Sequence, residues 1–138
     1  MKKNNISSEI FVDAILSNKD LKTIEKLSES ADLNYIYLSE YTPFIAATMV
    51  ENIEVLNFLV KNNADVNQVN SYNQTALHHA FRYNKIKSAT YLLNLKETKI
   101  DLKDIYGTRP IDWAKYNRNQ ELINLYNEAK NKEDGLIK

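Results

Sequence analysis

The sequence predicts an all-α fold, a solenoid of four stacked helix–turn–helix units joined by short β-hairpin-like loops. Three observations predict it. Residues 42–73 read as one complete helix–turn–helix–hairpin unit. Parts of that unit recur along the chain at a fixed spacing, the signature of a repeat array. A unit this small also cannot cover its own apolar faces, so it requires stacked neighbours.

The period is explicit. Ala64-Asp65-Val66-Asn67 has a counterpart in Ala31-Asp32-Leu33-Asn34, and 64 minus 31 is 33. Thr42-Pro43-Phe44 has one in Thr75-Ala76-Leu77-His78, and 75 minus 42 is again 33. Gly107-Thr108-Arg109-Pro110-Ile111 opens a further unit, with Arg109 falling 34 after Thr75; the extra residue lies within 96–99, ahead of Ile100-Asp101. A period of 33 with T-P-L-H-like openings and A-D-V-N-like closings resembles the ankyrin repeat, over residues 8–129. Three matches in phase are specific; a lone A-D-V-N would be weak. The resemblance implies a protein-binding module without catalytic activity.

In chain order, the first unit (about 8–38) is a degenerate N-terminal cap. Ile10, Phe11, Ala14 and Ile15 mark one helix, and Leu21, Ile24 and Leu27 the next. Glu9 stands where the threonine belongs, and Lys19, Lys22, Glu25, Lys26 and Glu29 supply the polar outer face that a terminal repeat needs. The second unit (42–74) opens on Thr42, a good N-cap, with Pro43 at the first helical position where a missing N–H costs nothing. A short helix from Phe44 to about Val50 follows. A second begins near Asn52, with Ile53, Val55, Leu56, Phe58, Leu59 and Val60 at helical spacing. Asn62-Asn63 stops it, because Asn tolerates a left-handed C-cap. The third unit (75–108) carries Leu77, Ala80 and Phe81, then Ile86, Ala89, Leu92 and Leu93. The fourth (109–130), a C-terminal cap, carries Ile111, Trp113 and Ala114, then Leu122, Ile123, Leu125 and Tyr126. Residues 131–138 lack periodicity and are expected to be a frayed tail, all within a single domain spanning 1–138.

One departure from the family pattern has a predicted energetic consequence. Ankyrin units place glycine after the first helix, and here those positions hold Asn18, Glu51, Asn84 and Arg118. A left-handed Glu51 or Arg118 costs roughly 1 kcal/mol. On that ground alone Glu51→Gly is expected to be neutral or stabilising.

Composition narrows the function. Eighteen basic and eighteen acidic residues give zero formal charge, against a nucleic-acid binder, where a basic footprint supplies most of the affinity. With no cysteine there is no disulfide framework, thiolate metal site or cysteine nucleophile. The basic start at residues 1–3 lacks the apolar run of a secretory signal, and no stretch has the length of a membrane span. A cytoplasmic protein without membrane contact, monomeric when free, is the expectation.

No catalytic constellation is visible. His78 and His79 are adjacent, so on a helix they diverge by about 100° and cannot share a metal as histidines four apart can. No metal and no cofactor are expected. In the ankyrin resemblance His78 falls on the motif histidine, which bonds neighbouring backbone, while His79 is expected to face the groove. The resemblance also places a concave groove between hairpin tips and first-helix surfaces. The tip positions include Leu38, Tyr41, Tyr72, Gln74, Ile105 and Tyr106; the helix positions include Met49, Val50, Arg82, Tyr83 and Tyr116, with Trp113 close by. Tyr, Trp and Arg are the residues enriched at binding hot spots. Leu38, Met49, Val50 and Ile105 add apolar surface whose exposure would mark an interaction site. A partner protein bound in this groove, with the chain acting as adaptor or stoichiometric inhibitor, is the expected function. The alternative is a small-molecule-binding or enzyme-accessory protein using His79, Arg82, Asp112 and Tyr116 as a polar cluster.

Overall fold

A computed structural model describes residues 5–135. Residues 1–4, with the basic start, and the end of the tail, 136–138, lie outside them. Among the described residues the chain forms helices α1 (Asn5–Leu16), α2 (Leu21–Ser28), α3 (Pro43–Met49), α4 (Ile53–Lys61), α5 (Ala76–Arg82), α6 (Ile86–Leu93), α7 (Pro110–Tyr116) and α8 (Gln120–Glu133). They pair into four helical hairpins. The first helices stack as α1–α3–α5–α7 and the second as α2–α4–α6–α8. The result is an all-α repeat solenoid with no strand among the described residues, only one isolated bridge between Tyr37 and Tyr41.

Stacking follows from which side chains are small and which are apolar. Ala46 and Ala47 of α3, Ala76 and Ala80 of α5 and Ala114 of α7 are fully buried, so the backbones of the first helices approach closely. Phe11, Phe44, Leu77 and Ile111 hold the same buried position in successive first helices, and Ile24, Leu56, Leu59, Leu92 and Leu122 are the large buried residues of the second helices. Together they form one continuous core along the stack.

Caps define the helix starts. Thr42 accepts from Ile45 N–H at 3.1 Å, Asn52 from Val55 N–H at 3.1 Å and Asn119 from Leu122 N–H at 3.1 Å. Asp20 does the same for α2. The closing motif works between units as well as within them. Asp32 and Asp65 each accept the N–H two residues on, at 2.9 Å. Asn34 Oδ1 then accepts from Asp65 N–H at 3.1 Å, and Asn67 Oδ1 from Lys99 N–H at 2.9 Å, tying each unit to its successor.

Asn18, Glu51, Asn84 and Arg118 all adopt left-handed backbone, with φ of 54°, 53°, 57° and 55°. Two of them also bridge units. Asn18 Oδ1 accepts from Asn52 Nδ2 at 3.0 Å, and Asn84 Oδ1 from Asn119 Nδ2 at 2.8 Å. In the third unit Lys85 stands where Asn52 and Asn119 stand in their own units, and α6 has no side-chain cap from it. Glu51 supplies one from the preceding unit. Its Oε2 accepts from Lys87 N–H at 3.0 Å and Ser88 N–H at 3.4 Å.

The expectation for Glu51→Gly is therefore revised. Relief of strain is offset by loss of a helix cap of about 1 kcal/mol and by a more flexible unfolded chain. We expect Glu51→Gly to be less stable than Arg118→Gly by about 1 kcal/mol. Adding Lys85→Asn to Glu51→Gly should recover most of the loss by restoring a local cap. Chemical denaturation of the three variants checks this; equal stability of the two glycine variants would remove the cap from the account.

One boundary and one buried face differ from expectation. Residues 131–133 are the last of α8 and not part of a frayed tail, with Asp134 as C-cap and Gly135 left-handed. Lys130 Nζ explains the extension: it reaches Asp101 Oδ2 at 3.0 Å and Glu133 Oε1 at 3.4 Å, while Tyr126 donates to Asp101 Oδ1 at 2.7 Å. At the other end Ile10, named with Phe11, Ala14 and Ile15 as marking the first helix, is half exposed on α1, whereas Phe11, Val12, Ala14 and Ile15 are buried.

Candidate functional site

The hairpin tips are built from short-range hydrogen bonds. In the second tip Asn70 Oδ1 accepts from Tyr72 N–H at 2.9 Å and Gln74 N–H at 3.1 Å. In the third, Asp104 Oδ1 accepts from Tyr106 and Thr108 N–H, both at 2.9 Å. A left-handed residue completes each turn, Asn73 in one and Gly107 in the other. Tyr37 holds the equivalent place in the first tip and offers no such acceptor. That tip closes instead through Tyr37 and Tyr41 backbone bonds, with Leu38 and Ser39 at φ of 54° and 63°. Leu38 thus stands in a region that disfavours it by about 1–2 kcal/mol. Its side chain is 72% exposed.

Backbone bonds zip the tips together. Ser71 N–H donates to Ser39 O at 3.0 Å, and Ile105 N–H to Tyr72 O at 3.1 Å. Tyr72 and Tyr106 consequently occupy the same position on successive tips, and both are exposed. Ser39 takes that position on the first tip, so the aromatic row ends there. Ile105 is exposed beside Tyr106.

The helix side of the groove is organised around Arg82, the last residue of α5. Its guanidinium carbon lies 5.1 Å from the Tyr83 ring centroid and 4.8 Å from that of Trp113. Trp113 meets Tyr116 edge to face at 5.9 Å. The Arg82 carbonyl accepts from Asn117 Nδ2 at 2.9 Å, so the next unit anchors its backbone. Tyr72, Arg82, Tyr83, Tyr106 and Trp113 share an open cleft of about 590 Å³ with Glu40, Gln74, Asp104 and Thr108. A hollow of about 450 Å³ along Thr108, Asp112, Trp113 and Tyr116 adjoins it.

Five of the sequence-predicted site residues are not displayed as expected. His79 is buried at 2% exposure, because α5 packs it inward. Its Nδ1 lies 3.3 Å from Thr75 O, the donor's geometry, which leaves Nε2 as a bare acceptor 3.6 Å from a Glu40 carboxylate oxygen. Burial pushes the His79 imidazole below its ordinary range. Gln74 is buried by the tip it closes, where its Oε1 accepts from Asn70 Nδ2 at 3.0 Å. Met49 and Val50, at the end of α3, are half-buried, Met49 against the core. Tyr41 is also half-buried, its phenol pushed up by burial and then by Glu40.

His78 is structural. Nδ1 accepts from Thr75 N–H at 3.0 Å, while Nε2 donates to Thr108 O at 2.9 Å, joining the third unit to the fourth. The two imidazoles are thus engaged in different directions. The cluster of His79, Arg82, Asp112 and Tyr116 does not assemble either. His79 lines neither space, Arg82 lines the first, and Asp112 and Tyr116 line the second. Asp112 is held by Arg109, whose backbone N–H and Nη2 reach it at 2.9 and 3.1 Å. Burial works against its charge, but those bonds win and its carboxyl stays below the ordinary range.

Sequence reasoning omitted Glu40 and Asp104 from the groove. Asp104 was detectable, since it aligns with Asn70 and both are good Asx-turn residues. Glu40 was not, because the unusual first tip aims it.

The ankyrin-repeat family model, in three copies, matches residues 11–104. The match ends before α7 and α8, whose helical hairpin packs on the third unit. No curated protein matches the chain.

Proposed function

The chain belongs to the ankyrin repeat family, whose members generally act as protein–protein interaction modules, and on that premise we propose that it is a non-enzymatic single-domain binder that takes a partner protein along its groove. It acts as an adaptor or a stoichiometric inhibitor and is monomeric when free. The supporting observation is the row of exposed aromatics on pre-ordered backbone: Tyr72 and Tyr106 on zipped tips, facing the Tyr83–Arg82–Trp113–Tyr116 stack. Tyrosine contributes large contact area with few rotatable bonds. Tips held by their own hydrogen bonds lose little further entropy on association. Exposed Leu38 and Ile105 extend this face with apolar surface. No described helix is long and apolar enough to cross a membrane.

The test is capture of partners by the native chain and by a Tyr72→Ala/Tyr83→Ala/Tyr106→Ala variant, after thermal melts establish that both are folded. These three side chains are exposed, so the variant should melt within a few degrees of the native chain. We expect a partner held by the native chain and lost by the variant. A partner held equally by both would move the site off this face.

A further inference from the structure

Arg82 carries donors for which the described residues provide no acceptor. The side chain is exposed, and among the described residues no carboxylate or carbonyl forms an ion pair or hydrogen bond with its guanidinium. Its partners are two rings, Tyr83 at 5.1 Å and Trp113 at 4.8 Å. Both contacts hold the guanidinium carbon over a ring, and neither ring supplies the carboxylate or carbonyl oxygen that its five coplanar N–H groups can pair with. The two rings therefore restrict where the guanidinium sits and leave its N–H groups for a ligand. Asn117 holds the backbone beneath it at 2.9 Å. A cation at the C-terminus of α5 is favoured by the helix dipole, but a lysine would satisfy that equally. The dipole does not account for a planar, stacked group.

We propose that Arg82 reads a single carboxylate, an Asp or Glu side chain of the partner, with neighbouring partner residues lying on Tyr72, Tyr83 and Tyr106. The proposal rests on the reading of the groove as a protein-binding face. A planar fork matches a carboxylate with two parallel hydrogen bonds, and one already immobilised loses little freedom in making them. Glu40 and Asp104 line the same cleft and repel a second acid. The fit is thus to an isolated carboxylate flanked by neutral or basic residues, not to an acidic run.

Random peptides displayed on phage, fused through their C-termini so that no terminal carboxylate is free, are selected on the native chain. Enriched peptides are then synthesised as C-terminal amides and their affinities measured. The expected outcome is one shared Asp or Glu. Its replacement by Asn or Gln should weaken binding roughly tenfold to a hundredfold, the range for a charge-assisted hydrogen-bonded pair. Arg82→Met should weaken the parent peptide similarly and be indifferent to the peptide's acid, and Arg82→Lys should recover only part. Peptides without a shared acid, or with an acid that can be replaced freely, overturn the proposal; loss of their capture by Tyr72→Ala/Tyr106→Ala would leave the groove reading in place. Capture that survives the tyrosine substitutions, or a library that yields no binder, counts against both.

Discussion

Replacing His78 by alanine is expected to lower the unfolding free energy by about 2–4 kcal/mol, because one buried and one half-buried partner lose their bonds at once. Thr75 N–H, in a residue 2% exposed, loses its acceptor at 3.0 Å, and Thr108 O loses its donor at 2.9 Å. The first loss loosens the start of α5 and the second unties the third unit from the fourth. Acid should act through the same group. Burial lowers the pKa of His78, with the Thr108 bond and nearby carboxylates opposing it, and burial lowers that of His79 as well. Each therefore binds its proton more tightly in the unfolded chain, so their contribution to stability is complete above the unfolded pKa of about 6.5 and declines as pH falls below it toward the folded values. Asp101 and Asp112 are held below the ordinary carboxyl range. Most of their titration thus lies at lower pH, leaving the histidines, the only two in the chain, to dominate the first decline. Denaturant melts across this range should show falling stability from neutral to mildly acidic pH, with a shallower slope in His78→Ala. A flat profile would mean that the imidazoles are not buried in neutral form.

Phe81→Ala should cost about 3–5 kcal/mol, since the ring is fully buried and its removal leaves a cavity between stacked helices. A loss of that size is a large share of the roughly 5–15 kcal/mol typical of a whole domain. Its position matters as much as its size. In a repeat array each unit is stabilised by its neighbours, and the fourth unit has the third as its flanking unit. Hydrogen exchange should therefore accelerate across α5–α8 more than across α1 and α2. Uniform acceleration along the chain would instead indicate a single cooperative unit, and unchanged protection in α7 and α8 would show that the fourth unit stands alone.

The sequence by itself determined the repeat, the helix starts and the left-handed positions. These are local matters. Thr42, Asn52 and Asn119 cap helices through backbone groups three residues away, and Asn18 and Asn84 adopt a backbone that Asn tolerates. The spacing of alanines and large apolar residues likewise encoded which face each helix buries, and residues in register along the chain became neighbours in the stack. Tertiary structure alone decided the rest. Glu51 reads locally as a strained glycine substitute, yet stacking brings its carboxylate to the start of α6, where Lys85 provides no cap. His79 holds a position like that of a groove residue, but α5 turns it inward. Residues 131–133 read as the start of a tail until Asp101, from a different unit, met Lys130 across the stack. The Arg82 stack is likewise inaccessible to pattern reading, because Trp113 comes from the next unit and its ring must close over a guanidinium some thirty residues earlier in the chain. Periodicity specifies which residues share a level of the solenoid. The direction in which a long side chain leaves that level is settled only when the neighbouring unit supplies charge, ring or acceptor.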